Sequence, residues 1–283
     1  MRKYLIFDNI VRGAGIGHML MCYNHAIQIA MDGDFELIVP RCIMGHKGLG
    51  KNFEFEDFFG LEKHPSEQIA KIKEQQNSFK YVEWVRNGCE QNFNFKNTKS
   101  FFKEKYLRTI DSKIRKYKSH AIPDKINISI HIRRGDIVSK QYFENYKKED
   151  YRIFPDVWFR QSLDEVLKEK NYQPSDVHVH VYSEMQADGF YYNEKSEKFD
   201  LKKVFDFSNC TFHLSSDTYE DTTYEDVYNM ITSDIFIGAR SGLALIISLY
   251  RDWQDKESFI ESVYAPVIKL NELNLIKVIV RPR

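Results

Sequence analysis

The sequence has no excess of charge of either sign, because 41 lysines and arginines balance 41 aspartates and glutamates over 283 residues. A neutral chain has no overall field that attracts nucleic acid or an anionic membrane surface, so neither is an expected partner. No stretch approaches the roughly 20 consecutive apolar residues that a transmembrane helix needs. Any binding of anions must therefore depend on a local group of basic residues.

Cysteine is also scarce, and the four cysteines have neither the spacing of a metal site nor the density of a disulfide framework. The N-terminal apolar run is too short for a signal peptide. We therefore expect a soluble, cytoplasmic protein, unless a native membrane anchor is missing from this sequence. Repeats and low-complexity tracts are absent, and 42% hydrophobic with 29% charged residues is typical of a globular chain.

The N-terminal region has the pattern of a strand, a helix and a second strand. Residues 3–8 are a short apolar run, a glycine-rich loop follows at 13–17, and residues 18–31 have helical periodicity. Residues 35–40 predict another short strand. Strands joined through a helix are parallel, so we expect a parallel sheet.

Pro123 marks the predicted domain boundary, because it ends a lysine-rich helical stretch and precedes the β-branched run 126–132. The predicted domains are thus 1–122 and 123–283. In the second domain, predicted helices alternate with predicted strands, at 156–170, 177–183, 223–233, 234–238 and 241–250. Alternation of this kind predicts the α/β fold class.

The segment His131-Ile132-Arg133-Arg134-Gly135-Asp136 stands at the end of that β-branched strand. The carboxyl ends of parallel strands face the ligand crevice of a sheet. Arginine offers a planar fork of donors that matches phosphate oxygens, and glycine lets the backbone pass close to a ligand. The segment predicts a diphosphate site. The alternative is a surface loop whose arginines form solvated ion pairs.

This segment resembles the His-x-Arg-Arg-x-Asp motif of the α1,2-, α1,6- and protein-O-fucosyltransferases. Residues 13–20 are similar to that superfamily's Gly-x-Gly-Asn-Gln-Met-Phe loop, with histidine and methionine in place of asparagine and glutamine. Residues 226–243 are similar to a late segment in which an aspartate-led strand precedes a serine-rich turn. Residues 182–184 are similar to a strand-end Phe-Ser-Asp. The resemblance covers four short motifs within residues 5–250.

The resemblance implies a GT-B-like fold, in which two Rossmann-like domains face a central cleft. Residues 1–122 would form the acceptor side, and residues 123–283 would bind the sugar nucleotide. The implied activity is that of an inverting glycosyltransferase in glycan biosynthesis, moving L-fucose from GDP-fucose to a glycan hydroxyl. The implied partners are the nucleotide sugar and an oligosaccharide acceptor. No metal cofactor is expected, because arginines can neutralise the departing diphosphate.

Other interpretations stay open. The donor could instead be UDP-xylose or a rhamnosyl nucleotide, and the chain could be a non-catalytic nucleotide- or glycan-binding module. An NAD(P)-dependent enzyme is disfavoured, because residues 13–17 match only part of the dinucleotide fingerprint. Residues 134–136 would act as an integrin-type Arg-Gly-Asp only in an exposed extracellular loop. Asp32-Gly33-Asp34 has the Asp-x-Asp pattern of metal-dependent glycosyltransferases, but its place between helix and strand favours a turn.

The resemblance gives Arg133 the catalytic role, because it aligns with the arginine that contacts the donor β-phosphate. The candidates for a general base are His18 and Asp8, near the N-terminal loop. The predicted substrate-binding residues lie in the loop, the arginine motif, a strand end, an acidic run and a helix start: Gly15, Ile16, Gly17, His131, Arg134, Asp136, Ser183, Asp217, Ser241 and Gly242. For Ser241 the alternative is N-capping. His178 and His180 are interpreted as hydrogen-bonded within a sheet.

Overall fold

The computed structural model describes residues 3–7, 16–39, 55–75, 79–82, 95, 97–134, 154–184, 201–206, 208–215, 223–239, 241–262 and 276–280. The chain divides into two compact units, Met1–Lys116 and Tyr117–Arg283. Each unit contains its own parallel sheet, which confirms the predicted α/β class. Within the described ranges, no helix combines the length and apolar character needed to cross a membrane.

The first unit has a three-stranded parallel sheet in the order β2-β1-β3. Its strands are β1 (Tyr4–Phe7), β2 (Glu36–Ile38) and β3 (Phe79–Val82). Its helices are α1 (Ile16–Gly33), α2 (Phe55–Phe59), α3 (Ser66–Gln75), α4 (Lys99–Arg108) and α5 (Ile110–Lys116). Buried isoleucines join β1 and β2 to α3, namely Ile6, Ile38, Ile69 and Ile72.

The predicted strand, helix and parallel strand at the start of the chain are confirmed by β1, α1 and β2. In the Asp32-Gly33-Asp34 segment, Asp32 and Gly33 end α1 and Asp34 lies in the turn before β2, so the segment is at the helix-to-strand junction that its composition favoured. Asp34 has a φ of 52°, in the left-handed region that aspartate tolerates in turns. This turn precedes β2, so it lies at the amino end of a parallel strand, away from the carboxyl edge where ligands bind.

The second unit has a six-stranded parallel sheet in the order β6-β5-β4-β7-β8-β9. Its strands are β4 (Ile126–His131), β5 (Val177–Glu184), β6 (Cys210–Ser215), β7 (Ile235–Ala239), β8 (Ser258–Ser262) and β9 (Ile276–Val280). Its helices are α6 (Asp156–Lys170), α7 (Leu201–Val204), α8 (Thr223–Thr232) and α9 (Gly242–Asp252). Counted from β4, the strand order is 3-2-1-4-5-6, that of the Rossmann fold.

The two faces of the six-stranded sheet differ in chemistry, because side chains alternate along each strand. The apolar face carries β-branched residues of β4, β5 and β7 and packs against α6: Ile128, Ile130, Val179, Val181, Ile235, Phe159 and Leu163 belong to one buried cluster. The polar face carries the intervening residues of β4, β5 and β6: Asn127, Ser129, His131, His178, His180, Tyr182, Thr211 and His213. Helix α9 lies over the polar face, because a Cβ built on Gly238 would lie 3.0 Å from the Cβ of Ala244.

Arg251 of α9 is fully buried where α8, α9 and β8 meet. Its guanidinium donates hydrogen bonds to carbonyl oxygens at the end of α8 and before β7 and β8, at 2.7–3.2 Å: those of Met230, Ile231, Ser233, Asp234 and Glu257. Burial lowers the pKa of Arg251 to about 9, so the side chain stays charged at pH 7. The carbonyls at a helix end have no partner within the helix, and Arg251 supplies donors to them.

We expect Arg251→Met to lower the free energy of unfolding of the second unit by about 3–5 kcal/mol, because methionine leaves several buried carbonyl oxygens without a donor. Urea unfolding followed by circular dichroism measures the change. The matched control is Arg108→Met, because Arg108 is exposed and pairs with Glu104 one helical turn away at the protein surface. The control should change stability little. A loss below about 1 kcal/mol for Arg251→Met would contradict this role.

Candidate functional site

The ends of β4, β5 and β7 meet at the carboxyl edge of the six-stranded sheet. His131, at the end of β4, lies opposite Tyr182 of β5 and Gly238 of β7. The chain reverses its winding between β4 and β7, and doubly wound sheets bind ligands outside the carboxyl ends of the strands at such a switch point. The residues that follow β4 therefore occupy the position where this fold places its ligand.

Arg133 and Arg134 leave β4 together but lie in different environments. Arg133 is half-buried, whereas Arg134 is buried. The Nη2 of Arg134 donates to the Phe154 carbonyl at 2.9 Å and forms an ion pair with the carboxylate of Asp156, the first residue of α6. Burial raises the pKa of the Asp156 carboxyl, and the positive charge of Arg134 opposes that shift. Arg134 thus connects the end of β4 to the start of α6.

This geometry favours a supporting role for Arg134. Its Nη1 also donates to the carbonyl oxygen of Arg133 at 2.8 Å, so it holds the backbone from which the Arg133 side chain projects. The predicted contacts of both arginines with a substrate stay predictions. The structure adds that the two side chains are not equivalent, which the sequence of two adjacent arginines does not indicate.

His131 ends β4 on the polar face, next to the arginines. Its Nδ1 atom is buried and has no hydrogen-bond partner among the described residues. Burial, together with the charges of Arg133 and Arg134, lowers the pKa of His131 to about 4. The imidazole is therefore neutral at pH 7, and its buried Nδ1 lacks a partner among the described residues.

Two predicted serines lie close to the same sheet edge, and both side chains bond to the backbone. The Ser183 hydroxyl, on β5, donates to the carbonyl oxygen of Ile132 at 2.9 Å. The Ser241 oxygen accepts from the Ala244 amide at 3.1 Å, so Ser241 is the N-cap of α9 and Gly242 begins that helix. N-capping, the alternative for Ser241, is therefore confirmed, and its contact with phosphate stays a prediction.

The remaining predicted site residues are only partly described. Ile16 and Gly17 are buried and begin α1, and His18 lies in its first turn. Four predicted residues lie outside the described ranges: Asp8, Gly15, Asp136 and Asp217. Among the described residues of the second unit, the predicted site residues at the carboxyl edge are thus His131, Arg133, Arg134, Ser183, Ser241 and Gly242.

A histidine network covers part of the polar face, and we define it as His120, His178, His180 and His213. His178 Nε2 lies 2.8 Å from the hydroxyl of Thr211, and His180 bonds to His213 at 3.1 Å, which confirms that the two β5 histidines are hydrogen-bonded within the sheet. His120 comes from the segment between α5 and β4 and stacks on His213 with ring centroids 4.1 Å apart. The sequence carries no signal for this stacking, because the two residues are far apart in the chain.

The comparisons with known proteins give likenesses among solved structures alone. No protein-family model matches the chain, and no curated protein matches it. Among solved structures, the chain is similar to one described as "E. coli heptosyltransferase WaaC with ADP", with 12% sequence identity and a TM-score of 0.36 over 100% of this chain and 91% of that one. A likeness with so low a TM-score does not assign a function to this chain.

We expect the protein to lose stability as the pH falls from 6.5 towards 4, with a contribution from His131. The pKa of this side chain falls from 6.5 to about 4 on folding, so in that window the unfolded chain binds a proton that the folded chain does not. His131→Gln should reduce the slope of unfolding free energy against pH by up to about 1.4 kcal/mol per pH unit. Urea unfolding at a series of pH values measures the slope. An unchanged slope would contradict the assignment.

Proposed function

We propose that this chain is an inverting glycosyltransferase that moves L-fucose from GDP-fucose to a glycan hydroxyl. The observation that carries the proposal is the position of Arg133, two residues after the end of β4 at the switch point of a 3-2-1-4-5-6 sheet. A guanidinium at that position suits the diphosphate of a sugar nucleotide. The amino end of α9 follows β7 to the same edge, and a helix N-terminus favours a bound anion.

In the proposed reaction, the acceptor hydroxyl attacks the anomeric carbon of the donor from the face opposite the diphosphate. The bond between the sugar and the β-phosphate oxygen breaks, and the nucleoside diphosphate leaves with the bonding electrons. Arg133 stabilises the negative charge that develops on the β-phosphate, which is the role that a metal ion has in other transferases. His18 and Asp8 are the candidates to accept the proton of the hydroxyl.

The second candidate is the same reaction with another donor, UDP-xylose or a rhamnosyl nucleotide. The observation that favours it is the N-terminal loop, where His18 and Met19 replace the asparagine and glutamine of the fucosyltransferases that this chain resembles. The proposed role of Arg133 is unchanged for these donors, because the leaving group of each donor is a nucleoside diphosphate.

We expect GDP to raise the melting temperature of the protein more than UDP, dTDP, NAD or GMP at equal concentration, because the ligand with the lowest Kd stabilises the folded state most. The comparison of GDP with GMP isolates the β-phosphate that Arg133 would contact. Equal shifts for these two nucleotides would contradict the arginine assignment. A shift with UDP alone would favour the second donor, and a shift with NAD alone would favour a dinucleotide enzyme.

We expect Arg133→Lys to lower kcat for sugar transfer by at least about 100-fold, which corresponds to about 3 kcal/mol of transition-state stabilisation. Lysine keeps the charge but loses the planar fork of donors. The change should fall on kcat more than on KM, because the proposed contact strengthens as the glycosidic bond breaks. Steady-state kinetics with GDP-fucose measures both constants, after circular dichroism has shown that the variant is folded.

Arg134→Lys is the matched comparison. Since Arg134 bonds to Asp156 and Phe154 inside the unit, its replacement should lower stability more than Arg133→Lys does and turnover less. Near-normal turnover in folded Arg133→Lys protein would overturn the proposed role. Binding of GDP-fucose without any transfer or hydrolysis would instead identify a non-catalytic binding module.

A further inference from the structure

Three side chains that the proposed reaction does not use meet at the histidine network, and two of them belong to it. They are His120, from the segment before β4, His213 of β6 and Asp226 of α8. One potential ligand atom from each lies within 4.8 Å of the other two, and all three residues are half-buried. Two imidazoles and one carboxylate are a donor set that zinc takes in proteins, with a fourth position left for water.

Hydrogen bonds determine which nitrogen of His213 carries its proton. The amide group of Asn127 donates to the carbonyls of Ile122 and Lys125 and accepts from the Ile122 amide, so its Oδ1 is an acceptor. His180 Nε2 lies 3.2 Å from that oxygen and must therefore be protonated, which leaves His180 Nδ1 as an acceptor. His213 Nε2 lies 3.1 Å from this acceptor and must donate to it. Neutral His213 thus keeps a lone pair on Nδ1.

The same reasoning gives the protonation of His120. Its Nε2 lies 3.3 Å from a carboxylate oxygen of Glu225, which can only accept, so this nitrogen carries the proton. Its Nδ1 lies 3.0 Å from the hydroxyl of Tyr182 and accepts from it. A carboxylate that bonds to the far nitrogen of an imidazole is the usual outer partner of a metal-binding histidine. Glu225 is in the position of such an outer partner, because its carboxylate bonds to His120 Nε2.

We propose that His120 Nδ1, His213 Nδ1 and a carboxylate oxygen of Asp226 bind one divalent transition-metal ion, with Zn²⁺ as the probe. Both nitrogens are unprotonated in the hydrogen-bond network that the structure shows. A neutral imidazole need not lose a proton before it binds a metal ion.

Binding requires a rearrangement, because the lone pair of His120 Nδ1 accepts the hydrogen bond of the Tyr182 hydroxyl, which must turn away before a metal ion can bind there. The rings of His120 and His213 are stacked within 7° of parallel, so one ring must turn about its χ2 bond for both lone pairs to point at one ion. The ligand atoms must also approach from the 4.8 Å limit to about 3.4 Å, the separation in a tetrahedral zinc site. The bound ion would connect the segment before β4, strand β6 and helix α8, and would thereby stabilise the second unit.

The experiment uses the full chain after treatment with EDTA and no nucleotide, so its outcome is independent of the proposed sugar transfer. Isothermal titration with Zn²⁺ should show one site with a Kd of about 1 μM or tighter, and Zn²⁺ should raise the melting temperature. Titration with Co²⁺ should give the visible absorption of a low-coordinate cobalt site with nitrogen ligands. Absence of the cobalt spectrum, or a Kd for Zn²⁺ far above about 1 μM, would overturn the proposal.

Variants identify the ligands. Asp226→Asn keeps the shape of the side chain but removes its charge, and His213→Gln removes the imidazole. Each should weaken Zn²⁺ binding by at least about 100-fold, and Glu225→Gln should weaken it by about 10- to 100-fold through His120. His178→Gln is the matched control, because His178 lies on the same face but bonds to Thr211 outside the three ligands. Unchanged affinity in both ligand variants, or equal loss in the control, would contradict the assignment.

Discussion

The second unit depends on strand β4, which pairs with β5 on one side and with β7 on the other. Its isoleucines form the centre of the apolar core under α6, and its alternate residues, Asn127, Ser129 and His131, lie on the polar face. A shift of one residue in this pairing would exchange the two faces. The register of β4 therefore fixes the core, the hydrogen-bond network and the position of Arg133 at the same time.

The polar face is unusual for a parallel sheet, whose strands are normally apolar on both sides. Burial of an imidazole or an amide is unfavourable unless each polar atom has a partner. The Asn127 side-chain amide supplies such partners, because it forms hydrogen bonds with the backbone before β4 and with His180 on β5. Consequently, the side chain that joins the preceding segment to the sheet also sets the protonation of the histidines.

Much of the local structure of the second unit could be predicted from the sequence. Helix α6 has the predicted bounds, and β4, β5 and β7 lie within one residue of prediction, because β-branched runs and helical periodicity are strong local signals. Strand β6, Cys210–Ser215, could not be predicted in this way, because its residues lack a β-branched run. The strand order, the partner of Arg134 and the stacking of His120 join distant residues, and no local pattern encodes those contacts.

The arginine pair shows what the structure adds to a motif. Both residues suit a phosphate ligand by chemistry, but Arg134 is buried against Asp156, whereas Arg133 is half-buried at the sheet edge. An unpaired buried charge would destabilise the fold. The ion pair between Arg134 and Asp156 of α6 therefore allows the second arginine to be buried here. Because Arg134 also donates to the Arg133 carbonyl, it restrains the backbone of its neighbour. Restraint of this kind reduces the conformational entropy that Arg133 loses when it binds an anion, so a buried arginine can support binding without touching the ligand.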